Sequence, residues 1–245
     1  MSDAPTAAQV RDAAAEVADP ELAIGQAAFF QARPGGYGEG DEFLGIRVPV
    51  QRKLAKGFRG IASDQVVDLL DSPIHEHRLI ALFLLREEFE RELRRGGDGK
   101  GWVDLYLDAV RRGRVNNWDL VDSSADPVLG EYCWRSGELD LVLQHARDDD
   151  LWRRRVGVIA TFAFIKHGDP AALLAVAPLV RDDRRGLIQK AFGWMLREVG
   201  KRVDESVLLG YLDDNAARMG RTALSYALEH RTPEERAHYR ALRDL

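Results

Sequence analysis

The stretch Arg114-Val115-Asn116-Asn117-Trp118-Asp119-Leu120-Val121-Asp122-Ser123-Ser124 lies near the middle of the 245-residue chain and decides how the rest is read. Two Asn residues favour a turn and a helix N-terminus, because their side-chain oxygens accept the backbone N–H groups that a first helical turn leaves without partners. Asp119 then falls in the first turn, where negative charge suits the helix dipole. A helix starting at Asn117 puts Trp118 and Asp122, one turn apart, on the same face. An aromatic ring beside a carboxylate suits a cationic ligand, since the ring offers a π face and the carboxylate a full charge. The alternative at the same spacing is a core Trp118 with Asp122 bonded to a neighbouring backbone amide.

Toward the N-terminus the pattern is helix and turn again. Trp102–Val110 is amphipathic, and Gly96-Gly97-Asp98-Gly99 separates it from a long helix that Ser72-Pro73 opens and that runs to about Arg95. Apolar Ile74, Leu79, Leu82, Phe83, Leu85 and Phe89 recur along it at helical spacing. Ser63 is placed to cap Asp64–Leu70, and Pro49 suits the first turn of a helix reaching about Phe58. Arg33-Pro34-Gly35-Gly36-Tyr37-Gly38-Glu39-Gly40-Asp41 holds four glycines and reads as a loop. It is not a phosphate-cradling loop, because no Gly-Lys-Ser/Thr follows. Glu21–Gln31 reads as a short helix, and residues 1–20 as a helix frayed at its start and ended by Pro20.

Toward the C-terminus, Pro127 is expected to open a helix through about Trp134, followed by Glu138–Ala146. Asp148-Asp149-Asp150 gives an acidic start to Leu151–Ile165, as the dipole favours. Ala171–Val180, Arg184–Val199, Glu205–Leu212, Arg218–Glu229 and Pro233–Arg240 complete the series. No segment alternates with period two. Helix pairs recur at roughly 35–40 residues, close to a HEAT repeat. The expected fold is all-α, a curved HEAT-like helical-repeat solenoid forming a single domain over 1–245. An irregular helical bundle is the other arrangement with this pattern.

Apolar residues make up 45% of the chain, enough for a sizeable core. One cysteine, Cys133, excludes an internal disulfide framework and a thiolate zinc cluster within one chain, which fits a reducing cytoplasm. Met1–Val10 shows no secretory pattern, and no apolar run approaches the roughly 18 residues of a membrane span. The net charge is −5, yet Arg147–Arg202 holds 12 Lys/Arg against 7 Asp/Glu, a local +5 that leaves −10 for the remainder. A basic block in an acidic chain is the footprint of a local phosphate-binding surface, or of a solvated face laced with ion pairs.

Two stretches in that block exceed what packing requires. In Trp152-Arg153-Arg154-Arg155-Val156, three consecutive arginines cannot share one helix face. In Lys190-Ala191-Phe192-Gly193-Trp194-Met195-Leu196-Arg197-Glu198, Lys190, Trp194 and Arg197 make a basic–aromatic–basic stripe. Gly193 costs roughly 1 kcal/mol inside a helix, which points to close approach by another backbone or a ligand. The histidines show no metal-ligand spacing and read as ordinary, and no G-x-S-x-G nucleophile motif is present.

Phe43-Leu44-Gly45-Ile46, Asn116–Asp122, Leu151–Arg155 and Gln189–Arg197 together resemble the DNA alkylation repair family, the HEAT-like-repeat alkylpurine DNA glycosylases of the AlkD type. The resemblance runs from about Gln26 to His230. It implies a solenoid that binds duplex DNA and excises cationic N3- or N7-alkylated purines; the chain is read as a monomer that needs no metal or organic cofactor. Residue by residue, it implies that Asp122 is the catalytic carboxylate and that Trp118 and Trp194 are aromatic walls against the lesion-bearing sugar. Arg155 and Arg197 match DNA-contacting positions, with Arg154 and Lys190 beside them. The family's third wall is an early Tyr; here the candidates are Phe29, Phe30 and, in the Gly-rich loop, Tyr37. The other functions compatible with such a chain are a non-catalytic relative that binds structured DNA and a helical scaffold that binds protein.

Overall fold

A computed structural model describes residues 4–242, and their backbone is helix joined by turns. Among the described residues there is no β-strand, only an isolated parallel bridge between Glu42 and Ile74. The chain gathers into two compact units, Met1–Ser124 and Ala125–Leu245. The first holds α1 (Ala7–Ala15), α2 (Pro20–Phe29), α3 (Val48–Gly57), α4 (Ser63–Leu70), α5 (His75–Arg94), α6 (Lys100–Arg111) and α7 (Trp118–Ser124). The second opens with a π-helical turn, Ala125–Gly130, and holds α8 (Glu131–Ser136), α9 (Leu139–Arg147), α10 (Leu151–Lys166), α11 (Ala171–Val180), α12 (Gly186–Arg202), α13 (Glu205–Asn215), α14 (Arg221–Ala227) and α15 (Pro233–Ala241).

Each unit stacks its helices in two layers. In the first, α1, α4 and α6 pack in succession, and α3, α5 and α7 do the same, with α5 also packed on α4 and α6. In the second, α10 touches α12 and α12 touches α14, while α9 and α11 pack together and against α10. This is the all-helical repeat arrangement that the helix spacing predicts. The central helices show it in their burial. Every residue from His75 to Leu85 on α5, and from Arg155 to Thr161 on α10, is buried. By contrast α4 buries only the stripe Val66, Leu69 and Leu70. Each fully buried Leu, Ile or Phe contributes roughly 1.5–3 kcal/mol, so α5 and α10 are the cores on which their units are built.

Helix starts are set by local hydrogen bonds, and several differ from the sequence expectation. Pro20 does not end the first helix; it is the first residue of α2, where its missing N–H is no loss, and Asp19 caps that helix by accepting from Glu21 and Leu22. The first helix is α1, opened by a Thr6/Gln9 capping box; residues 1–3 of that expectation lie outside the described residues. Ser63 is the first helical residue of α4, and Ala62 holds the cap position. Ser72 and Pro73 precede α5, and the Ser72 hydroxyl accepts the Ile74 N–H. Pro127 does not open a helix. It lies inside the π turn that directly precedes α8, where wider i→i+5 bonding absorbs the missing donor. Asp150 caps α10 as its position suggests, accepting from Trp152 and Arg153. No described helix is long and apolar enough to cross a membrane.

Gly193 on α12 has the close neighbour its placement suggests. A Cβ there would lie 2.2 Å from the Ala223 carbonyl oxygen and 2.7 Å from the Tyr226 Cβ, both on α14. In open space Gly193→Ala would stabilise α12 by roughly 1 kcal/mol. Against α14 the expected outcome is a loss of about 1–3 kcal/mol in denaturant unfolding, the cost of overpacking. A more stable variant would show that α14 does not press on this position.

Candidate functional site

The site of the first unit is built on the polar first turn of α5, His75-Glu76-His77-Arg78, all four buried. Glu76 turns to the loop before α3. Its carboxylate accepts the N–H groups of Leu44 (3.0 Å), Gly45 (2.8 Å) and Ile46 (3.1 Å). Gly45 is needed there: its φ is +82°, and a Cβ would fall 1.9 Å from the Asp19 carbonyl oxygen. His77 bonds the Ser72 hydroxyl at 2.9 Å, and burial lowers its pKa to about 4.

His75 sits between two carboxylates. Nδ1 meets Asp41 at 3.0 Å and Nε2 meets Asp119 at 2.8 Å. Arg78 ion-pairs the other Asp41 oxygen at 2.5 Å and donates to Asn116 Oδ1 at 2.5 Å. Burial alone would lower the pKa of His75. The hydrogen bonds to Asp119 and Asp41, with the charge of Asp119, outweigh it and raise the pKa to about 9 despite the opposing Arg78 charge. The imidazole is therefore a cation at neutral pH. For Asp41, burial acts upward, but His75 and Arg78 hold its pKa below the usual carboxylate value. The network ties three segments together: the end of the Gly-rich loop, α5, and the entry to α7.

That entry aims the residues of interest. Asn116 is held by Arg78, and the Asn117 side chain accepts the Trp118 N–H at 2.8 Å. The Trp118 ring stacks on Phe30 (centroids 5.4 Å apart), and Phe29 meets it edge-on at 5.9 Å. Phe30 in turn stacks on Phe43 and lies 4.8 Å from the His75 ring. Trp118 is half-buried, and Asp122, one turn on, is half-buried too. Behind Asp122 lies the fully buried Tyr106, whose hydroxyl accepts from Ser124 at 3.2 Å. Burial and the negative charge of Asp122 both raise the Tyr106 pKa.

In the second unit the organising group is Glu198 on α12, a buried carboxylate. It accepts from Trp194 Nε1 (3.2 Å), Arg197 (3.2 Å) and Arg202 (2.6 Å). Burial acts upward on its pKa, but Arg202 and Arg197 lower it overall. Trp194 lies 5.8 Å from Phe162, and that ring carries the Lys166 ammonium at 5.5 Å and the Arg202 guanidinium at 5.2 Å.

A family model described as DNA alkylation repair enzyme matches residues 10–230. The chain belongs to the DNA alkylation repair enzyme family. A solved structure, a predicted DNA alkylation repair enzyme from Enterococcus faecalis, is 18% identical over 88% of this chain and 97% of that chain, with a TM-score of 0.69. At that identity the likeness establishes the shared all-helical repeat fold. No curated protein matches the chain.

In this DNA alkylation repair enzyme the expected site residues divide between the units. Trp118, Asp122, Phe29, Phe30 and Tyr37 belong to the first; Trp194, Arg154, Arg155, Lys190 and Arg197 belong to the second. Among the wall candidates, Phe29 is 65% exposed, and the Tyr37 hydroxyl donates to its carbonyl at 3.3 Å. Phe30, the other candidate, is 8% exposed and stacked among Phe43, His75 and Trp118, so the more exposed ring is Phe29. Arg155, expected at a DNA-contacting position, is 4% exposed and donates to the Leu187 carbonyl, tying α10 to α12. Arg154 is mostly buried as well, bonded to Asp183 and to the Asp148 carbonyl. Arg197 pairs with Glu229 and Glu198, and Lys190 is exposed. His75, Asp41 and Asp119 went unrecognised in the sequence, where the histidines read as ordinary. The signal was present: His-Glu-His-Arg between Pro73 and the apolar run Leu79–Leu85 is a polar turn that the helix pattern forces inward. Among the described residues, no group of three or more His, Cys, Asp or Glu side chains is placed to hold a metal ion.

The His75 cation makes stability depend on pH with a definite sign. A histidine whose folded pKa is raised from 6.5 to about 9 contributes in full below pH 6.5, and the contribution is lost as pH rises through about 9. The shift corresponds to on the order of 3 kcal/mol. In urea titrations the unfolding free energy of the wild type is expected to fall between pH 6.5 and 9.5, and that of His75→Gln to start lower and stay nearly flat. Equal pH dependence in the two proteins would remove the His75 cation from the fold's stability.

Proposed function

We propose that this DNA alkylation repair enzyme is a glycosylase that removes cationic N3- or N7-alkylated purines from duplex DNA. The observation that carries the reading is the pairing of aromatic surface and carboxylate in the first unit. The exposed Phe29 ring lies against Trp118, and Asp122 follows Trp118 by one turn of a helix whose entry is locked by buried charges.

An alkylated purine of this class carries positive charge and leaves neutral, so its departure needs no general acid. As the C1′–N bond lengthens, its electron pair goes to the base and oxocarbenium character develops on the sugar, as in glycoside hydrolysis. A fixed carboxylate beside C1′ stabilises that charge, and ring faces stabilise it further while excluding water. Asp122 supplies the first, and Trp118 with Phe29 the second. Water then bonds to C1′ and gives up a proton, with Asp122 orienting it. The Ser124–Tyr106 contact and the core beneath hold the helix rigid.

Asp122→Asn preserves size and most hydrogen bonding but removes the charge. The expected result is an unchanged melting temperature, nearly unchanged duplex affinity, and single-turnover release of 7-methylguanine slowed by roughly 10²-fold or more. An unchanged rate constant with a lowered melting temperature would make Asp122 a structural group. Failure of folded wild type to release either 7-methylguanine or 3-methyladenine above a buffer control would overturn the glycosylase reading itself.

A further inference from the structure

Outside the Trp118–Asp122 face, the first unit gathers three cations around one aromatic ring. Arg52 and Lys56 lie one turn apart on α3, and Arg86 lies on α5. Together with Ala55, Phe83 and Glu87 they line a cavity of about 230 Å³ between those two helices. The Arg52 guanidinium sits 4.4 Å above the centroid of the Phe83 ring. Glu87 is turned to Arg59 at 2.9 Å, and Arg86 shares one contact with Glu90 at 2.7 Å. Among the described residues, neither Arg52 nor Lys56 has a carboxylate within ion-pair distance, and both are exposed. Counting those partners, the site holds four cations against two carboxylates, in a chain whose overall charge is −5.

We infer that Arg52, Lys56 and Arg86 form a binding site for a backbone phosphate of duplex DNA. The convergence of cations on one cavity is the argument. Arg52 is seated over the Phe83 ring, and its guanidinium carries donors enough to take two phosphate oxygens at once. Lys56 adds a point charge from the next turn. Partial burial lowers the Arg52 pKa first, and the adjacent Arg86 charge lowers it further; an anion would relieve that second, like-charge contribution. The site also stands in the right layer. It lies between α3 and α5, and α5 packs directly on α7, which carries Trp118 and Asp122. The sequence put the basic surface in Arg147–Arg202. There Arg154, Arg181, Arg185 and Arg202 are each paired with carboxylates of the chain, while among the described residues Lys190 and Lys201, like Arg52 and Lys56, have no ion pair.

This inference rests on the chain's binding duplex DNA, and not on base release. The experiment is a salt titration of affinity for an undamaged duplex. Each neutralised phosphate contributes about −0.9 to the log–log slope. Arg52→Ala and Lys56→Ala are each expected to flatten the slope by about 1 unit. Lys53→Ala, on the same helix but outside the cavity, is expected to leave it unchanged. Because Arg52→Ala also uncovers Phe83, Lys56→Glu serves as a variant with no packing role; it is expected to weaken binding at least 10-fold at low salt with an unchanged melting temperature. Wild-type slopes in Lys56→Ala and Lys56→Glu would overturn the site and leave the glycosylase reading standing. Duplex binding without base release would overturn only the glycosylase reading, and no wild-type duplex binding would overturn both. Saturable binding of inorganic phosphate at the site, with wild-type DNA slopes in the variants, would make it a site for the free anion and overturn the assignment to DNA.

Discussion

The His75 imidazolium held between Asp41 and Asp119 is the interaction on which the first unit's site depends. Burying charge is expensive, and a buried ion pair seldom stabilises a fold more than apolar packing would. What it does here is fix register. Asp41 closes the Gly-rich loop, Asp119 opens α7, and α5 supplies both His75 and Arg78 between them. An apolar contact would tolerate a sliding helix, whereas two charged hydrogen bonds at 3.0 and 2.8 Å do not. Trp118 and Asp122 inherit their direction from this clamp.

The same logic recurs in the second unit with the sign reversed. There a buried anion, Glu198, gathers Trp194, Arg197 and Arg202. Each unit thus carries an aromatic ring whose setting is fixed by a buried charge rather than by shape alone. The two-layer stacking explains why. Helices such as α5 and α10 are buried over several turns, so the polar residues at their ends are enclosed whether or not they are functional, and each needs a partner.

The helices and the motif residues were legible because they rest on local rules. Asn116 and Asn117 announce α7 through side-chain chemistry that acts over one or two residues. Gly193 announces a close neighbour, because a glycine in mid-helix otherwise costs stability, and the structure shows that neighbour to be α14. Exposure was less legible. Arg155 looks like a surface cation, and only tertiary packing reveals that the Leu187 carbonyl takes it inside. Phe29 and Phe30 are adjacent and alike, and the turn of the chain sends one outward and one inward. Prolines misled for a related reason. Pro20 and Pro127 mark places where a backbone donor is dispensable, which is true at a helix start and within a π turn as well as at a helix end. His75 was hidden because its partners lie far off in the chain.

That remoteness has a kinetic meaning. Asp41 and His75 are 34 residues apart, and His75 and Asp119 are 44 apart. Local helices form early and cheaply, but contacts across such separations must first overcome the entropy of closing long loops. The pose of the segment bearing Trp118 and Asp122 rests on Asp119 meeting His75, a contact that local helix formation does not supply. The entry to α7 is therefore expected to be set later than the helices around it.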